Sequence, residues 1–391
     1  MRDRSIIHIN VADFAVAVER TLDSRLAGRP VIIAPQGAAR AAVYDMSEEA
    51  FQAGVRKHMP LDRAVRRCRD ARVLPPRPDR YNQAMAQMLK AALPCSPLIE
   101  PGDADGHLFV DITGSSRLLG PPVDVAWRLR QRIWQDLGIA PIWSLATSKL
   151  VAKTATRLVK PLGEYIVEPG DEAALLAPLP IFLIPGVESN DLRRLNDFNI
   201  NRVFQAVALS GDQLQTLFGS RGYFIRNCLR GIDPSPVRPI TQPPPQVVLC
   251  REFGDDTVDR AHIEGCLYRL VERAGHRLRR QTRAARRIGL VLEHTDGVRR
   301  IRQVKAAPAT ANDYFLFAHA RRALELAWTR RVRLRRMRLI CDRLTYPPAQ
   351  RPLFAQEQNF TEKRDRLVAA MDRVRTRFGN DALAMGRTLA A

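Results

Sequence analysis

The sequence predicts an α/β protein built from several domains. Its 391 residues are too many for one hydrophobic core, since domains contain roughly 150 residues each. Strand-like and helical patterns alternate over the first 165 residues, which indicates a sheet covered by helices. Farther along the chain the patterns follow the order βαββαβ, which is typical of a ferredoxin-like unit.

The first predicted domain covers residues 1–165. Apolar runs at 5–11 and 30–34 predict strands, and apolar residues every fourth position from Phe14 to Leu22 predict a helix between them. The later predicted elements are helical patterns over 47–72 around Gly54, a helix over 81–93, a strand over 108–112, a helix over 123–137, a strand over 143–146 and a helix over 148–159.

Four further segments follow. Residues 166–233 are short helical stretches separated by glycine and proline, which predicts a small helical domain. Six prolines between 234 and 245 predict an extended linker. The βαββαβ domain occupies 246–345, and 346–391 form a tail.

The βαββαβ domain has well-marked elements. Its predicted strands are 246–253, 286–293, 298–305 and 332–341, and its predicted helices are 257–279 and 312–328. Asp296 and Gly297 separate the two central strands, and glycine readily adopts the positive φ of a tight hairpin turn.

The charge of the chain indicates a polyanionic partner. Lys and Arg number 62 against 41 Asp and Glu, so the formal charge is +21 and the pI is near 10.7. Nucleic acid is the expected partner, and a basic surface that serves only solubility is the alternative. Nineteen arginines and five carboxylates between Arg269 and Arg338 favour the first interpretation, because the excess charge is concentrated there.

An arginine-rich sheet face is the predicted DNA contact. In residues 331–335 arginine alternates with apolar side chains, which predicts a strand with one basic face. Contacts to phosphate would give binding without sequence preference that weakens with salt. The predicted DNA-binding residues of this domain are Arg283, Arg286, Arg287, Arg299, Arg300, Arg331, Arg333 and Arg335.

Other protein classes lack support in the sequence. The six cysteines form no C-x-x-C pair, so no zinc site, cofactor site or disulfide framework is expected. No apolar run reaches the roughly 18 residues of a membrane span, and the N-terminus lacks the pattern of a signal peptide. We expect no membrane partner and a cytoplasmic, nucleoid-associated protein.

Several short motifs occur in the order of a known family. The string IIHINVADF at 6–14 resembles the first strand of Y-family DNA polymerases, where I-I-H-V-D-M-D-x-F-F is usual. Further landmarks are Gly54-Val55-Arg56, Pro97 to Pro101, Val110 to Thr113 and Lys160-Pro161. The resemblance implies the right-hand architecture of palm and fingers (1–165), helical thumb (166–233) and little finger (246–345), with Lys160 near nucleotide phosphates or DNA.

The resemblance has departures at the catalytic positions. Y-family polymerases hold two magnesium ions with carboxylates, whereas the corresponding positions here are Asn10, Ala12, Gly106 and His107. Ala15 stands in place of an aromatic sugar gate, and Phe51 in place of a phosphate-binding arginine. These departures predict vestigial active-site positions and a protein that is not an enzyme. The alternative is a divergent, active polymerase that uses Asp13, Asp105 or Asp111.

The thumb and tail complete the resemblance. Pro185-Gly186-Val187 resembles a helix-hairpin-helix, but Glu188 replaces its second glycine. In the tail, Gln350, Leu353 and Phe354 resemble the Q-x-x-L-F peptide that docks bacterial polymerases on the β sliding clamp.

The group with missing carboxylates and a clamp motif is ImuB, so the resemblance implies an accessory role in SOS mutagenesis. Its implied partners are DNA, the clamp, an error-prone C-family polymerase and an ImuA-like, RecA-related protein. A final helix over 362–378, with Leu367, Met371, Val374 and Phe378 on one stripe, resembles the terminal segment of that group. The alternative is that this helix packs on its own domain.

Overall fold

The chain divides into two compact units, residues 1–242 and 243–391. The computed structural model describes residues 4–36, 41–102, 105–242, 246–347, 355–379 and 382–383, and the side chains of 355–361 lie outside this description. The boundary between the units falls in the predicted proline-rich linker. The division into five segments stays a prediction.

The first unit contains two sheets. Its strands are β1 (Ile6–Asn10), β2 (Val31–Ile33), β3 (Asp45–Met46), β4 (Arg72–Leu74), β5 (Ile99–Pro101), β6 (His107–Asp111), β7 (Ile142–Ala146) and β8 (Glu164–Ile166). The larger sheet has the order β5-β6-β1-β7-β8, and the smaller one has the order β3-β2-β4. Strand β1 is buried along its whole length and pairs antiparallel with both β6 and β7.

Twelve helices of the described residues cover these sheets and form the helical segment that follows. They are α1 (Phe14–Leu22), α2 (Glu48–Gln52), α3 (Leu61–Arg67), α4 (Pro78–Ala92), α5 (Ser116–Leu119), α6 (Pro122–Leu137), α7 (Lys149–Leu158), α8 (Glu172–Leu176), α9 (Ser189–Asn196), α10 (Val203–Val207), α11 (Gly211–Phe218) and α12 (Gly222–Leu229).

The large sheet has helices on both faces. Ile7 and Ile9 of β1 enter a core shared with α1, α4 and α6. On the opposite face, the His8 ring is hydrogen-bonded to the Thr156 hydroxyl of α7 over 2.7 Å. The Ser148 hydroxyl caps the start of α7 by accepting from Val151 N, and the helix ends before Pro161, which cannot continue it. Strand β1 is therefore packed against helices on both of its faces.

The second unit has the predicted element order. It consists of β9 (Val247–Thr257), α13 (Arg260–Arg280), β10 (Ala285–His294), β11 (Arg299–Thr310), α14 (Asp313–Ala327) and β12 (Leu334–Asp342), followed by α15 (Ala355–Phe378). The antiparallel sheet has the order β11-β10-β12-β9. The βαββαβ prediction is confirmed, and so is the hairpin turn, where Gly297 has a φ of 81°.

Helices α13 and α14 pack on one face of the sheet of the second unit. Ile288, Leu290 and Leu292 of β10 point into a core with both helices, and Met337 and Leu339 of β12 join them. Alternate residues of the same strands form the opposite face, named here the open sheet face. Among the described residues, no helix combines the length and apolar character needed to cross a membrane.

Candidate active site and nucleic-acid interface

The predicted vestigial positions meet at one end of the large sheet. Asn10 ends β1 and lies opposite His107, the first residue of β6. Val11 N donates to Gly106 O over 2.9 Å, which holds the chain after β1 against the chain before β6. Ala12 follows in the turn before α1. The structure therefore brings Asn10, Gly106 and His107 together, with Ala12 close in sequence.

Only glycine fits at position 106. Its φ is +78°, and a Cβ built there would lie 2.6 Å from Phe14 Cβ. A carboxylate side chain at this position would displace Phe14, which is buried in the core of the first unit. The glycine is thus a structural requirement of this turn.

The four positions do not fit the two magnesium ions that the fold family implies. Asn10 offers an amide and His107 an imidazole, whereas magnesium prefers carboxylate and other oxygen ligands. Within the described ranges, no group of three or more His, Cys, Asp or Glu side chains could hold a metal ion. We therefore derive no metal-dependent step from these positions.

Two carboxylates lie beside the start of α1. Asp45 is buried, its Oδ2 accepts from Ala15 N over 2.9 Å, and its Oδ1 is 2.9 Å from Lys57 Nζ. Asp13 is 3.8 Å from the Arg20 guanidinium. Burial raises the pKa of Asp13, the neighbouring Asp45 adds to the rise, and Arg20 opposes it.

Of the other two predicted carboxylates, only Asp105 lies at this end of the sheet. Its Oδ1 is 3.1 Å from His107 Nδ1. Asp111 is at the opposite end of β6, four residues or about 13 Å along the strand from His107. There it accepts from Thr113 N and faces Arg4 at 4.0 Å. Of the three alternative carboxylates, Asp111 therefore lies away from Asp13 and Asp105.

A cluster of four cations faces these carboxylates. It consists of Lys57, Lys153, Arg157 and Lys160, and is named here the α7 cation cluster. Burial lowers the pKa of Lys160, and Lys57 and Arg157 lower it further, against the opposing effect of Asp45. Burial and Arg157 likewise lower the pKa of Lys153, while Asp105 opposes them. Crowded, partly desolvated cations of this kind bind phosphate groups well.

The sequence interpretation included only Lys160 of this cluster. Lys153 and Arg157 are four residues apart on one face of α7, just before Lys160, and this spacing could have indicated the cluster. Lys57 and Asp45 come from the smaller sheet region, and their approach to α7 depends on tertiary structure. No local pattern could have predicted it.

The two other departures from the family pattern have structural substitutes. Ala15 is buried, and its amide binds Asp45. The exposed Phe51 ring is covered by the Arg56 guanidinium, whose Cζ lies 3.9 Å from the ring centroid. An arginine is therefore present beside position 51, although another residue supplies it.

The hairpin at 185–188 is closed by carboxylates. Gly186 has a φ of +91°, as the turn requires. Glu188 N donates to Asp191 Oδ2 over 3.0 Å, and Arg221 lies 3.2 Å from Glu188 and 2.8 Å from Asp191. Because the amide is already bound and two carboxylates surround it, this hairpin offers little to a DNA phosphate.

The open sheet face of the second unit alternates charged and apolar rows. Strand register puts Lys305, Arg287 and Asp342 side by side at one end. At the other end lie Arg299, Glu293, Arg336 and Glu252. Val291, Arg338 and Cys250 form a row between them.

The predicted arginines have different environments. Arg287 and Arg299 lie on the open sheet face but pair with Asp342 and Glu293. The guanidinium of Arg283 lies 4.4 Å from the centroid of the Tyr346 ring. Arg286 and Arg300 are exposed on β10 and β11.

The predicted basic strand face of residues 331–335 is wrong in its register. β12 begins at Leu334, so Arg331 and Arg333 precede the strand, and a bulge between Leu334 and Arg336 shifts the alternation. Arg335 lies at this bulge, 4.0 Å from Asp256. Arg336 and Arg338 occupy the open sheet face instead, and no carboxylate of the described residues forms an ion pair with Arg338.

The predicted clamp-binding residues Gln350, Leu353 and Phe354 lie outside the described residues. The terminal helix is described, and it packs on its own unit. Val368 and Met371 of this helix are buried, and Val374 is half-buried. Leu367 and Phe378 are exposed, so the predicted stripe is only partly correct.

Solved structures with the same architecture are Y-family DNA polymerases. A Dbh-Dpo4-Dbh chimera matches with a TM-score of 0.73 and 19% identity, over 88% of this chain and 99% of the other. DinB from Sulfolobus solfataricus matches with a TM-score of 0.61 and 19% identity, over 88% of this chain and 100% of the other. The fold is therefore the multidomain α/β architecture of Y-family polymerases.

Sequence comparison then defines the family. The impB/mucB/samB family matches residues 9–157, and its C-terminal domain matches 244–353. DNA polymerase IV of Halorhodospira halophila is 33% identical over 293 residues, 75% of this chain and 82% of the relative. DNA polymerase IV of Desulfatibacillum aliphaticivorans is 29% identical over 97% of this chain and 96% of the relative. The chain belongs to the impB/mucB/samB family of Y-family polymerases.

These comparisons contradict the prediction that the chain is not an enzyme. The relatives carry the name of a polymerase over up to 97% of this chain's length. That prediction was based on the residues at Asn10, Ala12, Gly106 and His107 and on the departures at Ala15 and Phe51. It kept Asp13 and Asp105 only as the alternative, and it did not include Asp45 or three of the four residues of the α7 cation cluster.

Proposed function

We propose that the chain is a divergent Y-family translesion DNA polymerase. The observation that carries the proposal is the convergence of the α7 cation cluster with Asp13, Asp45 and Asp105 beside the end of β1. The polymerase names of relatives that span most of the chain support it.

The α7 cation cluster is the proposed site for the phosphates of an incoming nucleotide. A triphosphate carries several negative charges. Its binding would offset the mutual repulsion of the four neighbouring cations and so be favourable. The lowered pKa values of Lys153 and Lys160 are evidence of that repulsion and of burial. Nucleotide binding should therefore raise both pKa values.

Asp105 and Asp13 are the proposed reactive-site carboxylates. Both lie at the end of the sheet where Asn10 and His107 meet, and burial raises the pKa of Asp13, with the neighbouring Asp45 adding to the rise. Asp45 is bound by Lys57 and the Ala15 amide, so its proposed role is to position the start of α1.

Dependence on nucleotide concentration tests the phosphate site. In primer extension, Lys153→Gln with Arg157→Gln should raise the nucleotide concentration for half-maximal rate on the order of tenfold. Lys90→Gln with Lys363→Gln removes two exposed cations elsewhere and should leave it unchanged. Equal effects of both pairs would mean that general charge matters and would contradict the site.

The second unit is the proposed holder of primed DNA. Arg336, Arg338, Arg299 and Lys305 present cations across the open sheet face, where a duplex backbone could lie. Six other predicted arginines are close in sequence to the strands of this face and stay proposals: Arg283, Arg286, Arg300, Arg331, Arg333 and Arg335. Binding should be insensitive to sequence and sensitive to salt.

Clamp binding through Gln350, Leu353 and Phe354 is a further proposal, and it is based on the sequence motif alone. Recruitment of an error-prone C-family polymerase and an ImuA-like protein, in DNA-damage mutagenesis at the nucleoid, is proposed from the resemblance. Leu353→Ala with Phe354→Ala should abolish retention on immobilised β clamp but preserve DNA affinity. Undiminished retention would contradict the motif's role.

A further inference from the structure

A basic cavity lies at one end of the open sheet face. Its volume is about 580 Å³, and it is lined by Arg286, Arg287, Lys305, Arg343, Leu344 and Thr345. All six residues belong to the second unit. We name it the β10 cavity.

The charges of the β10 cavity are only partly compensated. Arg287 donates to both carboxylate oxygens of Asp342, with distances of 2.7 and 2.5 Å, so its charge is neutralised locally. Arg286, Lys305 and Arg343 are exposed, and none of them forms an ion pair with a carboxylate of the described residues. Three uncompensated cations around one concave space create a strong field for an anion.

Backbone irregularities open this space. Ala285 pairs with Thr310 and Arg287 with Lys305, so a step of two residues on β10 faces a step of five on β11. The extra residues of β11 leave the hydrogen-bonded ladder next to Lys305, so the strand pairing is irregular there. On the facing strand, Arg343 directly follows β12 with a φ of +51°, a conformation that non-glycine residues seldom adopt. Both departures from regular strand structure occur at cavity residues.

An aromatic ring lies beside the cavity in sequence. Tyr346 follows Thr345 and is 67% exposed. The Arg283 guanidinium lies over this ring, 4.4 Å from its centroid. A stacked Arg-Tyr pair holds the ring in place, and exposed rings of this kind serve as platforms for nucleobases.

We infer that the β10 cavity binds the phosphate group of a nucleotide, either at the 5′ end of a single DNA strand or in a free nucleotide. A flat sheet face suits a continuous backbone, whereas a concave cavity of this volume is within the range of small-ligand pockets, roughly 300–1,000 Å³. A terminal phosphate carries a charge near −2, more than an internal phosphodiester, and suits three free cations. This site is separate from the α7 cation cluster and does not depend on polymerase activity.

Two DNA probes that differ only at the 5′ end test the inference. The full chain is titrated with one single-stranded oligonucleotide carrying either a 5′-phosphate or a 5′-hydroxyl. We expect the phosphorylated form to bind on the order of tenfold more tightly, since charge-assisted hydrogen bonds are the strong ones. Arg286→Gln with Lys305→Gln should remove this preference. Arg321→Gln with Arg322→Gln, both paired with Glu325 on α14, should retain it.

Inorganic triphosphate separates the two sources of the phosphate. Triphosphate binding that is lost in the Arg286 and Lys305 variant, without any 5′-end preference, would support the cavity and identify a free nucleotide as its ligand. The inference is overturned if both 5′ ends bind equally and the variant binds triphosphate like the parent. Without a 5′-end preference, loss of triphosphate binding only in the Lys153 and Arg157 variant would also overturn it.

Discussion

Gly106 shows how one backbone position controls the site. The residue combines a positive φ with a Cβ direction that points at Phe14. The amino acid at 106 is therefore selected by packing of the turn, whatever chemistry occurs beside it. An interpretation of this glycine as only a lost ligand misses that constraint.

Substitution of Gly106 tests this requirement. Gly106→Ala should lower the free energy of unfolding by about 2–4 kcal/mol, because it adds left-handed strain and displaces Phe14. Gly28→Ala is the matched control, since Gly28 has a φ of +65° with nothing within 4 Å of its Cβ position. The control should cost only about 1 kcal/mol in urea unfolding. Equal losses would show that the Phe14 contact is unimportant.

Arg338 is the residue on which we expect DNA affinity to depend most in the second unit. Arg338→Gln should weaken binding and reduce the slope of log affinity against log salt by about 1. Arg287→Gln should have a smaller effect, because Asp342 already compensates Arg287. Fluorescence anisotropy over a salt series measures both. A larger effect for Arg287 would contradict the expectation that its ion pair with Asp342 reduces its contribution.

Sequence patterns predicted candidate residues only where the site is local. Lys160 was found because it follows one helix, and Lys153 and Arg157 could have been found by their spacing on that helix. Asp45 and Lys57 could not, because their approach to α1 and α7 depends on how the smaller sheet packs. The same limitation left Asp111 among the three alternative carboxylates, because the pairing of its strand decides which end of the sheet it occupies.

At the scale of elements, long and strongly periodic segments were predictable. The six elements of the βαββαβ unit, and α4, α6 and α7, appear close to their predicted bounds. Strands β3, β4, β5 and β8 contain only two or three residues and were missed, because so short a run has no measurable alternation. The bulge in β12 also escaped prediction, and it moved the basic face by one residue.

Helix α15 docks on α13 and α14 through buried charges. Arg279 of α13 donates to Asp372 over 2.6 and 2.9 Å and to Asp313 over 2.7 Å. Arg375 of α15 donates to Glu272 over 2.6 Å, with both side chains buried. The interpretation of this helix as packing on its own domain is supported.

Removal of one partner should expose the cost of this burial. Arg375→Met leaves Glu272 without its cation and should lower the free energy of unfolding by about 3–5 kcal/mol. Arg373→Met, at an exposed position of the same helix, should change it by less than about 0.5 kcal/mol. Urea unfolding of the full chain compares the two. A stable Arg375→Met protein would show that the pair contributes little.

Asp313 should make stability depend on pH. Burial raises its pKa from 3.8 to about 6, although Arg279 opposes the rise. Between pH 4 and 6 the Asp313 carboxyl is therefore protonated in the folded chain and ionised in the unfolded chain. The free energy of unfolding falls as pH rises through this range. Each pKa unit corresponds to about 1.4 kcal/mol, which gives a loss of about 3 kcal/mol.

The variant Asp313→Asn isolates this effect. Its neighbours Arg279, Glu272, Asp372 and Arg375 remain, and Arg279 outweighs burial to lower the pKa of Asp372, which stays ionised in this range. Relative to Asp313→Asn, the parent should lose stability between pH 4 and 6. A constant difference in unfolding free energy across that range would contradict the raised pKa.

At the scale of the whole molecule, charge and fold were predicted better than activity. A charge of +21 concentrated on one unit indicated a nucleic-acid partner, and motif order indicated the Y-family architecture. The prediction of an inactive protein was wrong: it gave most weight to departures at aligned positions, and the polymerase names of the relatives contradict it. Carboxylates at other positions can fold beside the same strand end, as Asp13 and Asp105 do.

The match to the family's C-terminal domain stops before the terminal helix. The family match ends at residue 353, before α15 begins. The polymerase structures are covered over 99–100% of their lengths, whereas 88% of this chain is covered.

Template-directed primer extension with magnesium or manganese tests the central claim most directly, with DNA binding measured on the same preparation. We expect extension by the parent, loss of extension in Asp105→Ala, and retained extension in Asp111→Ala, whose carboxylate lies at the far end of β6. DNA binding without any extension by the parent would contradict the proposed polymerase activity. Extension that survives both substitutions would instead contradict the assignment of Asp105.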